Sequence, residues 1–425
     1  MKKYTVKMNT PLYTAISNYA KAQPARYHMP GHKGRPLYKG LWGDLTPFDV
    51  TELPQTGDLY REIDGPIRES ERLLAKTYNA GHAMFLTGGA TQGIFAMLAA
   101  CTSPGDTILV DRLCHQSVLY AAALLDLRPR YVYRKVMDGV ALPIESDDIP
   151  QLDGVRAAII TSPTYNGVLS DLSSIYKLCG QNNVRLLVDA AHGAHLPFIP
   201  GFYDYYCYDA IVMSAHKTLP ALGQAAFLLT NRDDIQAYRS AAMLTGTSSP
   251  SYPIMASIDL ARAFLDEQGY KNGELLLDAV SRYDYGNVFS GCALDPLRVT
   301  VKDDIRSFEK IVPEMDLGGM LTFIISLYDG VRDVERLFSA IAEYKGEAFK
   351  GEISNMPTAK FAISPREAML KSKKTVIPSK SVSGQIAAEP ITPYPPGIPV
   401  IMPGEIIGDE HLKHIRGQVT VIENS

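Results

Sequence analysis

The stretch that decides the fold is RLLVDAAHGAH (185–195), followed by DAIVMSAHKT (209–218). Each begins with a short run rich in Ile, Val and Leu and continues into a segment that carries Asp, His or Lys. Short runs that are apolar on both faces are typical of buried strands in a mostly parallel sheet. The polar residues that follow these runs should therefore lie at the carboxyl ends of strands, where open α/β sheets bind their ligands.

Further apolar runs on either side predict more strands of the same sheet: TILVD (107–111), AAIIT (157–161) and AAFLLT (225–230). The segments QSVLYAAALL (116–125) and LSSIYKLCGQNN (172–183) are long enough to form crossover helices between them. The runs DAIVMS and AAFLLT are so close in sequence that a tight reversal must join them, which predicts one antiparallel strand. The pattern as a whole predicts an α/β fold with a mostly parallel, seven-stranded-type sheet between helices.

The pattern changes after about residue 285. The segments DPLRVTVKD (295–303), LTFIISLYD (321–329) and VRDVERLFSAIAEYK (331–345) predict a strand, a second strand and an amphipathic helix. The Pro-rich segment EPITPYPPGIPVIMPGE (389–405) is too rigid and has too few backbone donors for a helix or a central strand. We expect an N-terminal segment over 1–60, a large domain over 61–285 and a smaller C-terminal α+β domain over 286–425.

The composition is that of an ordinary globular protein and narrows the classes of function. The chain has 425 residues, of which 46% are hydrophobic and 21% charged, enough for a large core and about two domains. A net charge of -4 provides no broad basic surface for a nucleic acid or an anionic membrane, so we expect a small-molecule ligand. The first residues, MKKYTVKMNTPLYTAI, contain no apolar signal region, which predicts a cytoplasmic location.

Neither disulfides nor a metal site is expected. The five cysteines are widely spread and contain no C-x-x-C pair. His192 and His195 have the i, i+3 spacing of a metal pair, but no third His or Cys at a useful spacing supports them.

Two of the predicted strand ends carry side chains suited to covalent cofactor chemistry. Lys217 follows the run DAIVMS, and its amine can form an imine with an aldehyde if burial or a nearby positive charge keeps it partly neutral. Asp189 ends the run RLLVD, and a buried carboxylate needs a cationic partner such as a protonated pyridine nitrogen. Considered singly, Lys217 is better explained by a surface loop, and Asp189 is as well explained by a helix cap. The two together are more specific than either alone.

A glycine-rich segment, TGGATQG (87–93), precedes the apolar helical stretch IFAMLAAC (94–101). The backbone N–H groups of Gly89, Ala90 and Thr91 would form a phosphate cradle at the start of a helix, although such a start is also a common structural device. The segment lacks the Walker lysine and the spacing G-x-G-x-x-G, so an NTP or a dinucleotide is not favoured.

Three histidines lie near these strand ends. His115 follows TILVD and is able to stack on an aromatic ring, although a loop histidine is more often a surface residue. His192 lies three residues after Asp189 and His216 precedes Lys217, so both are candidates to hydrogen-bond a cofactor.

The segment SAHKTLPALGQ (214–224) resembles the Schiff-base segment of the Orn/Lys/Arg decarboxylase family, which has the pyridoxal 5'-phosphate (PLP) fold type I. Further blocks are similar to those of the family and occur in the same order along nearly the whole chain: MPGHKG (29–34), DRLCHQS (111–117), SPTYNGVLSDL (162–172), VDAAHGAH (188–195), TSSPSY (247–252), SPREA (364–368) and PYPPGIPVIMPGE (393–405). The resemblance implies a PLP-dependent lyase that decarboxylates an amino acid, with arginine, lysine or ornithine as the expected substrate. The products would be carbon dioxide and an amine.

The resemblance also implies roles for residues around the cofactor ring. Lys217 would hold PLP as a Schiff base, Asp189 would pair with the pyridine nitrogen, and His115 would stack over the ring. His192 would lie beside the 3'-oxygen of the ring.

Other residues would serve the phosphate group. The resemblance places Ser214 and His216 near the phosphate and the lysine. It places Ser248 and Ser249, in the TSSPSY loop, at the phosphate of a second subunit, which implies a homodimer with shared active sites. Where the family usually has a hydroxyl residue in the phosphate loop, this chain has Gly89-Ala90, so Thr91 and the backbone amides would contribute more.

The resemblance is to the short form of the family, which lacks a receiver-like domain before the MPGHKG block. Compared with the family, we expect an abbreviated C-terminal part, with about 20 residues after the final Pro-Gly-Glu. The acidic residues that would select a basic side chain are not marked by a motif, and the candidates are Glu314, Asp316 and Glu405.

Two alternative functions remain. The same scaffold supports other PLP reactions, such as those of aminotransferases, aldolases and other lyases, and Arg366 is a candidate clamp for an α-carboxylate. The second alternative is a PLP-binding protein without activity. The presence of Lys217, Asp189 and His115 together argues against it.

Overall fold

A computed structural model of the chain describes residues 9–26, 29–30, 32–35, 45–61, 63–137, 140–283, 292–302, 311–316, 320–342, 353–355, 358, 360–392 and 399–423. Its strands are β1 (His82–Leu86), β2 (Thr107–Asp111), β3 (Arg128–Val132), β4 (Lys135–Met137), β5 (Val140–Ala141), β6 (Val155–Thr161), β7 (Arg185–Asp189), β8 (Ala210–Met213), β9 (Ala226–Thr230), β10 (Arg298–Lys302), β11 (Met315–Asp316), β12 (Met320–Ile324), β13 (Ile353–Asn355), β14 (Lys374–Pro378) and β15 (Gln418–Ile422). Its α-helices are α1 (Pro11–Lys21), α2 (Pro66–Thr77), α3 (Gly89–Cys101), α4 (Gln116–Leu125), α5 (Leu172–Gln181), α6 (Ala215–Thr218), α7 (Ile235–Thr245), α8 (Tyr252–Phe264), α9 (Tyr270–Ser281) and α10 (Val331–Ala342).

The largest sheet in the described residues has seven strands in the order β1-β9-β8-β7-β6-β2-β3. Strand β9 runs antiparallel to both of its neighbours, while β8, β7, β6, β2 and β3 pair in parallel. The mostly parallel sheet with one antiparallel strand is thus confirmed, and the predicted apolar runs correspond to β2, β6, β7, β8 and β9. These strands are buried along nearly their whole length, because helices cover both faces of the sheet.

Both edge strands of this sheet escaped prediction from the sequence. Strand β3 has the sequence RPRYV, in which exposed and partly buried residues alternate. Arginine and proline are typical of edge strands, where they discourage pairing with other chains, but they hide the apolar pattern of a strand. Strand β1 has the sequence HAMFL and pairs antiparallel with β9, closing the opposite edge.

The helices that flank the sheet follow local sequence signals. Helix α4 has the predicted bounds, and His115 caps its start by accepting a hydrogen bond from the amide of Ser117. Asp171 caps α5 by accepting from the amide of Ser174 at 3.1 Å. Helix α3 lies directly on β8, because Gly93 has no side chain there: a Cβ atom at this position would be 2.4 Å from the Val212 side chain.

The C-terminal part forms smaller α+β structure, as predicted. Strands β10, β12 and β11 form one antiparallel sheet, and β14 pairs with β15. The predicted strands and helix contain β10, most of β12 and α10. Strand β13 pairs with β4, which lies before residue 285, so the division at that residue stays a prediction.

The Pro-rich segment lies partly outside the described residues, since 393–398 are not described. Ile391 and Ile401, on either side of residues 393–398, form an isolated antiparallel β-bridge. No helix in the described ranges combines the length and the apolar character that crossing a bilayer requires.

Candidate active site

A cavity of about 280 Å³ lies at the carboxyl ends of β2, β6, β7 and β8. This is the edge of the sheet at which the strand-end rule places a ligand, and the volume is near the lower limit of roughly 300 Å³ for ligand pockets. Most of the predicted site residues line it: Gly89, Ala90, Thr91, His115, Asp189, His192, Ser214, His216 and Lys217. The fold therefore brings together residues that are up to 128 positions apart in the sequence (89 to 217).

Lys217 enters the cavity from α6, a single helical turn that follows β8. Its Nζ atom lies 3.0 Å from Nε2 of His192, within hydrogen-bond distance. Burial lowers the pKa of the Lys217 amine below its ordinary value; the negative charge of Asp189 opposes this shift, and the positive charge of Arg298 adds to it. A larger fraction of this amine is neutral than in an exposed lysine, which is the state that forms an imine.

Asp189 is almost fully buried at the end of β7. Its carboxylate accepts a hydrogen bond from the amide of Ala191 at 3.1 Å, and it has no ion-pair partner among the described residues. Burial raises the pKa of Asp189, while the charges of His115 and Lys217 act to lower it. Turns follow β7, and the next helical segment begins only at Leu196, so Asp189 is not a helix cap.

His115 and His192 face the cavity from different elements. The Nδ1 atom of His115 accepts from the amide of Ser117 at 3.3 Å and lies 2.8 Å from its hydroxyl. Desolvation lowers the pKa of His115. Burial, and then the charges of Lys217 and Arg298, lower the pKa of His192 well below its ordinary value, so this ring is neutral at pH 7. Within the described part of the chain, Nδ1 of His192 has no hydrogen-bond partner.

The start of α3 also lines the cavity. Gly89 has a φ of +71°, a left-handed conformation that favours glycine, and its amide donates to the carbonyl of Gln224 at 3.0 Å. The amides of Ala90 and Thr91 lie in the first helical turn, where an α-helix offers them no acceptor. These donors at the positive end of the helix dipole suit an anionic group.

His216 and Ser214 complete this side of the cavity. The Nδ1 atom of His216 lies 2.9 Å from the carbonyl of Ala225 and donates to it, so the ring is held by the loop that follows α6. Ser214 is buried at the end of β8, and its carbonyl accepts from the amide of Lys217 at 3.3 Å.

Ser248 and Ser249 do not line this cavity. They lie in an exposed loop between α7 and α8, where the amide of Ser249 donates to the hydroxyl of Thr247 at 3.1 Å. Their role in the site of a partner subunit stays a prediction.

The sequence did not single out Tyr165 and Asp111, which also line the cavity. The ring of Tyr165 packs on that of His192 with 4.7 Å between centroids, and its hydroxyl donates to Glu314 at 2.6 Å. Asp111 forms a buried ion pair with Arg134 at 2.7 Å. Asp111 ends β2 and Tyr165 follows β6 by a few residues, so the strand-end rule that found Asp189 was sufficient to find both.

Two candidates from the sequence are placed elsewhere. The guanidinium of Arg366 donates to the carbonyls of Leu124 at 2.9 Å and Ala123 at 3.3 Å, at the C-terminal end of α4, so it is not a clamp in this cavity. Glu405 is fully buried and pairs with Arg112 at 3.1 Å, so its charge is not available to a substrate. Both side chains bind the C-terminal part to elements that flank the large sheet, at the end of α4 and just after β2.

No group of three or more His, Cys, Asp or Glu side chains in the described ranges is arranged to hold a metal ion.

The sheet order, the lysine after β8 and the carboxylate at the end of β7 define the class of the protein, an α/β protein of PLP fold type I.

The chain belongs to the Orn/Lys/Arg decarboxylase family. Residues 10–283 match the model of the family's major domain, and residues 347–418 match that of its C-terminal domain.

Similar proteins agree with this assignment. The arginine decarboxylase of Bacillus subtilis (strain 168) is 29% identical over 460 residues, covering 96% of this chain and 93% of that protein. The uncharacterized protein YaaO of the same organism is 29% identical over 481 residues, covering 98% of each. The crystal structure of the Francisella novicida lysine decarboxylase LdcF matches with a TM-score of 0.82 at 20% identity, covering 98% of this chain and 82% of that one. At this identity the structural likeness concerns the fold.

Proposed function

We propose that this chain is a PLP-dependent decarboxylase of a basic amino acid, with Lys217 as the lysine that holds the cofactor. The observation that carries the proposal is the placement of the Lys217 amine and the Asp189 carboxylate in one cavity, at the ends of adjacent strands. Membership of the family and the names of the arginine and lysine decarboxylases support the reaction and the substrate class.

The donor set of the cavity fits PLP. Asp189 is a buried carboxylate that lacks an ion-pair partner among the described residues, and a protonated pyridine nitrogen would supply one. The unpaired amides at the start of α3 would hold the phosphate, helped by Thr91 and Ser214. The flat ring of His115 is accessible in the cavity for stacking. When bound, PLP supplies an electron sink for the electron pair that the departing carboxyl group leaves behind.

The chain itself supplies the groups that hold and move protons. Nζ of Lys217 and Nε2 of His192 are 3.0 Å apart, and the pKa of each is lowered by burial, which favours the neutral form of both groups. Either nitrogen can hold the proton that replaces the carboxyl group on the α-carbon. The ring of Tyr165 packs on His192 and limits the positions that the imidazole can adopt.

Glu314 is the acidic residue best placed to select a basic side chain. It is exposed, it accepts the hydrogen bond of a cavity-lining tyrosine, and its charge acts on Lys217. A negative charge at the mouth of the cavity would attract the terminal cation of arginine, lysine or ornithine.

The alternatives have less support. The guanidinium of Arg366 binds backbone carbonyls at the end of α4, so it is not available as the carboxylate clamp that an aminotransferase would need. A PLP-binding protein without activity would not need Lys217, Asp189 and His115 together in one cavity.

The proposal includes a homodimer in which the loop of Ser248 and Ser249 reaches the phosphate of the partner's site. The short phosphate cradle at Gly89-Ala90, which lacks a hydroxyl, supports a donor from outside the subunit. It also includes a cytoplasmic location, because all five cysteines are free and reducing conditions keep them so.

The proposal is tested by trapping carbon dioxide from a panel of amino acids incubated with the purified protein and added PLP. We expect release from at least one of arginine, lysine and ornithine, and no release by the Lys217→Ala variant. Turnover of an amino acid by the wild type without carbon dioxide would indicate a different PLP reaction instead.

A further inference from the structure

A buried arginine lies behind His192. Arg298 is the first residue of β10 and is 3% exposed. Its Nη2 atom donates to the backbone carbonyl of His192 at 3.3 Å. Within the described residues its Nε and Nη1 atoms have no hydrogen-bond partner, and the carboxylate of Asp295 lies 3.9 Å from Nε, beyond hydrogen-bond distance. A buried guanidinium with two unpaired donors is costly, so its retention at this place needs a reason.

Arg298 is confined by two loops that form the cavity. One is the turn after β7, which it holds through the His192 carbonyl. The other is the loop after β6, where a Cβ atom at Gly167 would lie 2.6 Å from Cβ of Arg298. The loop of Gly167 therefore packs closely on the Cβ and Cγ atoms of Arg298, while the hydrogen bond to the His192 carbonyl holds its guanidinium.

We propose that Arg298 is a positioning residue of the site, which fixes the turn that carries Asp189 and His192 and places a permanent positive charge behind the His192–Lys217 hydrogen bond. The inference deepens the proposed function, because that charge, together with burial, favours the neutral form of the Lys217 amine that binds an aldehyde.

The electrostatics of Lys217 support this role. Charged and titratable groups lie around it on several elements: Asp111 at the end of β2, Asp189 at the end of β7, His192 after β7, His115 before α4, Tyr165 after β6, Glu314 before β11, Arg298 in β10, and His216 beside it in α6. Burial and Arg298 lower the pKa of Lys217, whereas Asp189 and Glu314 raise it. Since the pKa values of His115 and His192 are themselves lowered, these rings are largely uncharged at pH 7. Among these described groups around Lys217, Arg298 therefore carries the permanent positive charge.

The test measures the reactivity of Lys217 in cofactor-free protein. The full chain is labelled with a trace of acetic anhydride between pH 6 and 11, and acetylation of the Lys217 peptide is quantified by mass spectrometry against a free amine standard. We expect Arg298→Met to move the midpoint of Lys217 labelling upward by about one pH unit, because a nearby positive charge is lost. Arg298→Lys keeps the charge and should stay near the wild-type midpoint.

A matched control removes a buried arginine elsewhere. Arg262 lies in α8, pairs with Asp259 at 2.8 Å and is not among the charges that act on Lys217, so Arg262→Met should leave the Lys217 midpoint unchanged. A folded Arg298→Met protein with the wild-type midpoint would overturn the proposal and leave Arg298 a purely structural role.

A further variant decides the matter if Arg298→Met does not fold. Arg298→Gln removes the charge but keeps a side-chain donor for the His192 carbonyl, and it should also move the Lys217 midpoint upward. An unchanged midpoint in a folded Arg298→Gln protein would also overturn the proposal. Because the labelling uses neither PLP nor substrate, a failure to decarboxylate any amino acid would refute the proposed function without affecting this result.

Discussion

Replacement of Asp189 by asparagine should separate cofactor binding from turnover. In the structure, Asp189 accepts a hydrogen bond from the amide of Ala191 at 3.1 Å. Asparagine has nearly the same shape as aspartate, and its amide oxygen can accept the same hydrogen bond. The variant should therefore keep the cavity and bind PLP. It should lose the buried charge that holds a pyridine nitrogen protonated.

The expected size follows from the burial of this carboxylate, which is 3% exposed. Removing one partner of a buried ion pair costs about 3 to 5 kcal/mol. If that loss falls on the transition state, the rate falls between roughly a hundredfold and a few thousandfold. The assay compares kcat for carbon dioxide release with the dissociation constant for PLP, both measured on the same preparation.

The control for this prediction is Asp171→Asn, the same substitution at the N-cap of α5, away from the cavity. Asparagine is as good an N-cap as aspartate, so this variant should retain wild-type turnover. Near-normal kcat in Asp189→Asn would refute the reasoning, because the carboxylate would then not be paired with the ring nitrogen.

Four further predictions concern other residues of the site. Borohydride reduction of the PLP-treated protein should fix the label on Lys217, and peptide mass spectrometry that finds it on another lysine would refute the assignment. Glu314→Gln should raise KM for basic amino acids by about two- to fivefold, with a smaller change in kcat, since an exposed ion pair contributes at most about 1 kcal/mol; an unchanged KM would exclude it from selection. The lowered pKa of His192 means that the unfolded chain binds a proton below pH 6.5 that the folded chain does not. Stability should therefore fall by up to about 1 kcal/mol between pH 6.5 and 5.5, and urea unfolding of His192→Gln should lack this component. Finally, Lys217→Ala mixed with a chain altered at Ser248 and Ser249 should regain about a quarter of wild-type activity, from half the dimers carrying one intact site each; confirmed subunit exchange without recovery would place the loop in its own subunit.

The predictable part of the fold depends on local sequence. Runs such as RLLVD and DAIVMS are buried on both faces, so their apolar character alone marks them as central strands. The residues at the end of each run, or within a few positions after it, fall at the ligand edge. This is why Asp189 and Lys217 were found without knowledge of the tertiary structure. The edge strand RPRYV escaped because one side of an edge faces solvent and tolerates arginine and proline.

The sequence by itself determined where the central strands lie along the chain and to which family the chain belongs. It also determined which lysine is the candidate to hold the cofactor and which carboxylate is its candidate partner. The tertiary structure decided which remote side chains meet. Tyr165 contacts Glu314 across 149 positions, and Arg298 holds the carbonyl of His192 across 106. The tertiary structure also pairs Glu405 with Arg112 and Arg366 with the end of α4, so neither side chain is available in the cavity. Periodicity reports how each segment is buried, whereas pairings between distant segments depend on how the packed layers are placed, and no local pattern encodes that placement.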